Sequence, residues 1–96
     1  MLVLITYDVA VSSANGAKRL RQISKQCVNY GKRVQNSVFE CHIDNATFIM
    51  LRKKLLDIID EEEDSIRFYL LGNKFQNKVE HYGIKESYDP EGLLII

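Results

Sequence analysis

Apolar and polar positions change period several times along this chain, and each change marks a predicted element. Residues 2–9 read LVLITYDV and are apolar enough for a strand buried on both faces, at the centre of a sheet. Alternation gives one face with Leu2, Leu4, Thr6 and Asp8 and another with Val3, Ile5, Tyr7 and Val9. The strand therefore carries a carboxylate, that of Asp8, at its far end.

A helical period follows this strand. The apolar positions that recur at helical spacing are Leu20, Ile23 and Cys27. We expect Ser12 or Ser13 to cap the start of the helix and Gly31 to end it in the left-handed conformation. The predicted helix is amphipathic and basic.

Residues 33–43, RVQNSVFECHI, are strand-like, but their alternation slips between Val38 and Phe39. A turn or bulge near Asn36 and Ser37 would divide them into two short strands. Asp44 or Asn45 then caps a second helix, and the acidic run 60–64 ends it. The apolar positions of this helix are Phe48, Leu51, Leu55 and Ile58.

Residues 65–71, SIRFYLL, predict one more strand, which Gly72 closes. The order β-α-β-β-α-β indicates an α+β, ferredoxin-like fold, with an antiparallel sheet and both helices on one face. The 96 residues form one domain. The β-α-β-β-α-β unit is complete without the apolar stretches 79–84 and 93–96. We therefore expect residues 78–96 to supply an extra strand. That strand would pair with a second copy, in a homodimer, or with another protein.

Composition and charge refine this picture. Hydrophobic residues make up 46% and charged residues 27%, which is typical of a globular protein. Two cysteines are too few for a disulfide framework, and no apolar run is long enough for a membrane span. The start of the chain lacks the pattern of a signal peptide. We therefore expect a cytoplasmic protein without a membrane partner.

Net charge is zero, but its distribution is uneven. No acidic residue lies between Asp8 and Glu40, whereas the charged residues within 40–64 are mostly acidic. The candidates for nucleic-acid binding are Lys18, Arg19, Arg21, Lys25 and Arg33. The alternative is that these residues are ordinary solvated charges of a helix face.

Asp8 has two interpretations. It is either a surface aspartate that ends a strand or a metal ligand held by that strand. Mg²⁺ usually takes one or two carboxylates together with water and phosphate oxygens, so two copies of Asp8 at a dimer axis would suit it. Without a cation, two such carboxylates would share a proton. A metal at this place could assist hydrolysis of a phosphodiester.

The other candidate residues are less specific. Tyr7 and Phe39 could stack on bases, although strand aromatics more often belong to the core. His42 and His81 lack a paired ligand spacing, so we expect structural roles for them. No Gly-rich phosphate loop, HExxH or Gly-x-Ser-x-Gly element is present, which removes the usual support for nucleotide kinases, zinc proteases and serine hydrolases.

Three segments together resemble the CRISPR-associated Cas2 family over essentially the whole chain. They are the strand that ends in Tyr7 and Asp8, the basic helix with Arg19 and Arg21, and GKRVQNSVFE at 31–40. The resemblance implies a homodimer with exchanged C-terminal strands and a divalent cation, Mg²⁺ or Mn²⁺, between the two copies of Asp8. It also implies a metal-dependent endonuclease that cuts RNA or double-stranded DNA, and a partner in the integrase of the spacer-acquisition complex.

Carried over to this chain, the resemblance makes Asp8 the metal ligand. The implied catalytic residues are Asp8, Tyr7, Arg19, Arg33 and Phe39, and Arg21 joins the phosphate-contacting arginines. No residue is obviously placed as a general base.

Three functions remain open from the sequence. The chain could be a dimeric metal-dependent phosphodiesterase or a non-catalytic DNA-binding scaffold that bridges the integrase subunits. It could also be a small-molecule regulatory domain, because a ferredoxin-like fold alone does not decide function.

Overall fold

The structure is a computed structural model, and it describes residues 1–72 and 78–84. Its elements are β1 (Leu2–Asp8), α1 (Gly16–Tyr30), β2 (Lys32–Gln35), β3 (Val38–His42), α2 (Asn45–Ile58), β4 (Ser65–Leu71) and β5 (Lys78–Gly83). The predicted β-α-β-β-α-β order is confirmed, and β5 extends it. The α+β class is confirmed as well.

The strands form one antiparallel sheet in the order β2-β3-β1-β4-β5. β1 lies between β3 and β4, so its predicted central position is confirmed. In this register Ile5 stands opposite Phe39 on one side and Phe68 on the other. These three apolar side chains therefore form a row across the middle of the sheet.

Both helices pack on one face of the sheet, as predicted. The core there contains Val3, Ile5, Tyr7, Phe39, Cys41, Ile66 and Phe68 from the strands, and Ile23, Cys27, Phe48, Leu51 and Leu55 from the helices. On the opposite face of β1, Leu2, Leu4 and Thr6 are only half-buried. The prediction that β1 is buried on both faces is wrong for this second face, because neither α1 nor α2 covers it.

The start of α1 differs from the prediction. The helix begins at Gly16, and the residue before it, Asn15, has a φ of 62° and makes no side-chain capping hydrogen bond. The Ser13 hydroxyl instead donates to the Ala10 carbonyl at 2.7 Å. The prediction of a cap at Ser12 or Ser13 is therefore wrong, because residues 10–15 form turns of their own before the helix starts.

Gly31 ends α1, but in an extended rather than a left-handed conformation, with a φ of −153°. The prediction of a left-handed stop is wrong. Glycine is needed here for a close approach to β3, because a Cβ at this position would lie 2.4 Å from the Cys41 Sγ and 2.7 Å from the Glu40 carbonyl oxygen.

The two short strands and the second helix agree with the sequence. A turn at residues 36–37 separates β2 from β3, and the register shifts between Arg33 and Gln35. Asp44 caps α2 by accepting a hydrogen bond from the Thr47 N–H at 2.7 Å. The acidic segment after α2 forms the turn that leads into β4.

β5 pairs with β4 of the same chain, and the bidentate contact between Arg52 of α2 and Glu80 fixes it to the helix layer. The extra C-terminal strand is thus confirmed. Pairing of residues 78–96 with a partner subunit stays a prediction, and residues 85–96 lie outside the described ranges. Neither helix of the described chain is long and apolar enough to span a membrane.

Candidate nucleic-acid interface and strand-end carboxylate

Asp8 is the last residue of β1 and is exposed. Strand alternation directs its side chain to the face that the helices leave free, where it stands opposite Ser65 of β4. Residues 1–72 and 78–84 contain no group of three or more His, Cys, Asp or Glu side chains that could hold a metal ion. The described part of one chain therefore offers fewer than three such side chains around Asp8, which is compatible with Mg²⁺ only as part of a larger ligand set.

Tyr7, the neighbour of Asp8, points to the opposite face and is only 6% exposed. Its Oη is buried and has no hydrogen-bond partner within the described chain. Burial raises the pKa of Tyr7, and the proximity of Ser24 and Arg33 partly offsets this effect. The sheet therefore separates the Tyr7 hydroxyl from the Asp8 carboxylate, although the resemblance assigned both residues to one site.

A basic cleft opens beside Tyr7, between α1 and the β2–β3 hairpin. It has a volume of about 530 Å³, and its polar lining includes Tyr7, Arg21, Ser24, Lys25 and Arg33. Three of the five predicted nucleic-acid-binding residues thus come together here. Lys18 is exposed on α1 and does not line the cleft, and Arg19 lies elsewhere in a different environment.

Arg33 is held in place at the edge of this cleft. Its guanidinium donates to the Ser24 hydroxyl and the Asn36 carbonyl, and it lies 4.8 Å from the centroid of the Phe39 ring. Phe39 itself is fully buried and stacks with Tyr7 at a centroid distance of 6.3 Å. The Phe39 ring therefore packs against the Arg33 guanidinium. The catalytic role of Phe39 stays a prediction, and because the ring is buried, Phe39 could affect a reaction only through its neighbours.

Arg19 makes a buried ion pair that the sequence analysis missed. Its Nε donates to Asp64 Oδ2 at 2.7 Å, and its Nη2 donates to Asp64 Oδ1 at 3.1 Å. The same guanidinium also donates to the Ser13 hydroxyl and the Ala14 carbonyl, both at 2.8 Å. Most of its hydrogen-bonding capacity is therefore used within the chain, and a phosphate-contacting role for Arg19 stays a prediction.

Asp64 connects this arginine to the strand end. Its carboxylate is fully buried and also accepts from the backbone N–H groups of Ala10 at 3.0 Å and Asp60 at 2.9 Å. Burial alone would raise the pKa of the Asp64 carboxyl, but the hydrogen bonds from Arg19, Asp60 and Ala10 outweigh it and lower this pKa. The pair thus fixes the backbone two residues after Asp8.

The sequence contained only a weak signal for Asp64. The residue ends an acidic run, where solvated charge is the ordinary interpretation, and its partner Arg19 lies 45 positions away. Its place directly before β4 was the one distinguishing feature, because β4 runs antiparallel to β1 and so begins next to the end of β1.

Both histidines make local contacts. His42 Nε2 lies 3.1 Å from a carboxylate oxygen of Glu40. His81 Nδ1 accepts from Arg67, and its Nε2 lies 2.8 Å from the Ile84 carbonyl oxygen, to which it donates in that tautomer. These contacts agree with the structural roles that were expected for the two residues.

The protein is a small antiparallel α+β sandwich with a basic cleft, which suits the binding of phosphate groups, and a strand-end carboxylate. The family model described as CRISPR associated protein Cas2 matches residues 1–79. The chain belongs to the Cas2 family.

Individual relatives agree with this assignment. The chain is 58% identical over 95 residues to the CRISPR-associated endonuclease Cas2 of Halalkalibacterium halodurans, with 99% of each chain covered. It is 55% identical over 96 residues to the CRISPR-associated endoribonuclease Cas2 of Chlorobaculum tepidum, with both chains fully covered. The crystal structure of Streptococcus pyogenes Cas2 at pH 6.5 is similar with a TM-score of 0.70 and 56% identity, over 79% of this chain and 92% of that one.

Proposed function

We propose that this protein is a metal-dependent endonuclease that hydrolyses phosphodiester bonds in RNA or double-stranded DNA during CRISPR antiviral defence. Membership of the Cas2 family supports the reaction class, as do the endonuclease and endoribonuclease names of its two relatives. The observation that carries the proposal is the position of Asp8, an exposed carboxylate at the end of the central strand on the helix-free face.

A second copy of the chain completes the site. The helix-free face of β1 carries the half-buried side chains of Leu2, Leu4 and Thr6. These side chains are mainly apolar, so the face is suited to an interface with a second copy of the chain. Two such faces packed about a two-fold axis bring the two Asp8 residues towards each other. Two carboxylates with additional water and phosphate oxygens match the preference of Mg²⁺, and Mn²⁺ suits the same oxygen donors.

Different residues of this chain bind the metal, position the backbone and attract the nucleic acid in the proposed reaction. Asp8 holds the divalent cation, which when bound neutralises charge that develops on the phosphodiester. Asp64 and Arg19 keep the backbone after Asp8 in place through the Ala10 N–H. Arg21 and Lys25 contribute positive charge that attracts the nucleic-acid backbone.

Cleavage of labelled RNA and of double-stranded DNA by the purified protein tests the proposal. We expect cleavage with Mg²⁺ or Mn²⁺, loss of cleavage in EDTA, and a fall of at least about 100-fold in Asp8→Ala, because a metal-dependent site then loses its ligand. Asp57→Ala is the matched control, since Asp57 is an exposed carboxylate on α2. Equal cleavage by Asp8→Ala and the unmodified protein would refute the metal-pair mechanism.

The association state is tested in the same preparation by sedimentation equilibrium. A dimer is expected with and without metal, because the apolar face and not the cation would hold it together. A monomer at the concentrations where cleavage is observed would contradict a shared metal site.

The second candidate function is a non-catalytic scaffold that bridges integrase subunits and holds DNA during spacer acquisition. One observation favours it: the described residues contain no metal-binding group of three or more side chains, while the basic side chains of Arg21, Lys25 and Arg33 line a cleft on the other face of the sheet from Asp8. Such a scaffold would bind DNA equally well in EDTA and in Asp8→Ala. Both functions suit the cytoplasm, where Cys27 and Cys41 would stay reduced.

A further inference from the structure

We infer that the basic cleft between α1 and the β2–β3 hairpin binds a phosphate monoester. A nucleoside 5′-monophosphate carries this group, and so does the phosphorylated end of a nucleic-acid strand. The inference goes beyond the proposed nuclease reaction, because it assigns a specific ligand group to a cleft whose Arg21 and Lys25 were so far given only a general attraction for the nucleic-acid backbone.

Charge is the first argument. Arg21, Lys25 and Arg33 converge on the cleft, and no acidic side chain of the described residues lines it. A phosphate monoester has a charge between −1.5 and −2 near neutral pH, so it matches this cluster better than the single charge of a backbone diester. Arg33 is oriented in advance by Ser24 and Asn36, so less side-chain entropy is lost on binding.

The Tyr7 hydroxyl is the second and independent argument. Its oxygen is buried and has no partner at hydrogen-bonding distance and angle in the described chain, although Ser24 and Arg33 lie close enough to lower its pKa. Tyr7 is one of the residues that line the cleft. Leaving such a group unpaired costs about 1–3 kcal/mol, and an acceptor oxygen of a ligand would remove that cost. A phosphate oxygen in the cleft would accept from Tyr7 while the cations surround the other oxygens.

Shape indicates that the ligand is larger than phosphate alone. The volume of about 530 Å³ lies within the usual range of about 300–1,000 Å³ for small-molecule sites. The side chain of Leu20 adds an apolar surface against which a sugar or base can pack. On the sheet side the Tyr7 N–H donates to the Ser37 carbonyl at 3.1 Å, which joins two of the residues that line the cleft.

The cleft is distinct from the strand-end carboxylate. Tyr7 and Asp8 are consecutive residues of β1 and point to opposite faces of the sheet. Loss of one site therefore leaves the other intact, which allows the two functions to be tested separately.

Calorimetric titration with adenosine 5′-monophosphate tests the inference. We expect saturable binding with one site per chain, and weaker binding by at least about tenfold for adenosine and for the diester 3′,5′-cyclic adenosine monophosphate. The variant Arg21→Gln/Lys25→Gln should lose about tenfold or more in affinity, and Tyr7→Phe should lose about threefold to tenfold. Lys53→Gln on α2 is the matched control, because Lys53 is an exposed cation outside the cleft.

Two further comparisons complete the experiment. An oligonucleotide with a 5′-phosphate should bind more tightly than its 5′-hydroxyl form, and the double variant should abolish the difference. Asp8→Ala should bind adenosine 5′-monophosphate with unchanged affinity, even if it loses cleavage. Absence of saturable binding, equal binding of adenosine, or equal loss in Lys53→Gln would each overturn the inference without bearing on the nuclease proposal.

Discussion

Arg19 and Asp64 form a two-point ion pair, with Nε to Oδ2 at 2.7 Å and Nη2 to Oδ1 at 3.1 Å, next to the loop that follows Asp8. Because the Asp64 carboxylate also accepts the Ala10 N–H, the pair joins α1, the start of β4 and the end of β1. Loss of Arg19 would leave the buried Asp64 carboxylate without a counter-charge. Its importance for stability and for the candidate site can be measured separately.

Asp64→Asn should lower the free energy of unfolding by about 2 kcal/mol, because it replaces a fully buried carboxylate that accepts from Arg19 and from two backbone N–H groups. Urea unfolding followed by circular dichroism measures this change. The control is Asp57→Asn, whose exposed partner Lys53 lies 3.8 Å away, and there we expect a change below about 0.5 kcal/mol. Similar losses in the two variants would contradict the role given to the buried pair.

The contribution of Asp64 should depend on pH. The pKa of its carboxyl is lower in the folded protein than in the unfolded chain, so the stability it adds is complete above the unfolded value and is lost as pH falls through the folded value. The difference in unfolding free energy between the unmodified protein and Asp64→Asn should therefore be constant at neutral pH and shrink below about pH 4. A difference that stays constant down to pH 2 would be inconsistent with a titrating Asp64.

The salt dependence of DNA binding distinguishes phosphate contacts from positioning residues. Replacing Arg21 by Gln should reduce the slope of log K against log salt by about 0.9, as expected when one phosphate contact is lost. Arg19→Gln should leave the slope almost unchanged, because the charge of Arg19 is already paired with Asp64. The measurement is made at a temperature where circular dichroism shows both variants folded. A fall in slope for Arg19→Gln would restore its predicted role at phosphate.

The two cysteines should be unreactive in the folded protein. Burial raises the pKa of the Cys27 thiol to about 12 and that of the Cys41 thiol to about 11. The thiolate is the reactive form, so almost none is present at pH 8. We expect no labelling by a thiol reagent under native conditions and labelling of both residues in urea. Rapid native labelling would show that the layer between α1 and β3 opens.

Glu80 is expected to hold β5 against the helix layer. It accepts two hydrogen bonds from Arg52 of α2, at 2.9 and 3.1 Å, and one from the Tyr82 hydroxyl at 3.2 Å. Burial would raise the pKa of Glu80, but its bond to Arg52 outweighs this and lowers it. Glu80→Gln should therefore speed amide hydrogen exchange in β5 while β1 stays protected. Lys78→Gln, which removes only an exposed cation 3.5 Å from a Glu80 carboxylate oxygen, should change exchange much less.

Elements defined by neighbours in the sequence could be predicted. The apolar spacing of α2, its cap at Asp44 and the turn at residues 36–37 depend on nearby residues, and the structure agrees with them. The opposite directions of Tyr7 and Asp8 also followed from alternation, yet the resemblance grouped these residues in one site. Alternation was the better guide, because the two side chains lie on opposite faces of the sheet.

Features that depend on distant residues could not be predicted. The partner of Arg19 lies 45 positions along the chain, and nothing near Asp64 marks it as buried. The conformation of Gly31 follows from β3 passing close to it, which no local pattern records. Similarly, the sequence shows a basic cluster but not how the fold divides it. Arg21, Lys25 and Arg33 line one cleft, whereas Arg19 forms an ion pair with Asp64, and this division depends on tertiary contacts.

The close approach of Gly31 to β3 also limits how this chain can evolve. A Cβ there would meet the backbone oxygen of Glu40 at 2.7 Å, and no mutation elsewhere removes a backbone oxygen. A lost ion pair can be compensated by a second mutation at its partner, whereas a new side chain at position 31 has no such remedy. Lineages that keep this sheet geometry should therefore retain glycine at the helix end even where the surrounding surface has diverged.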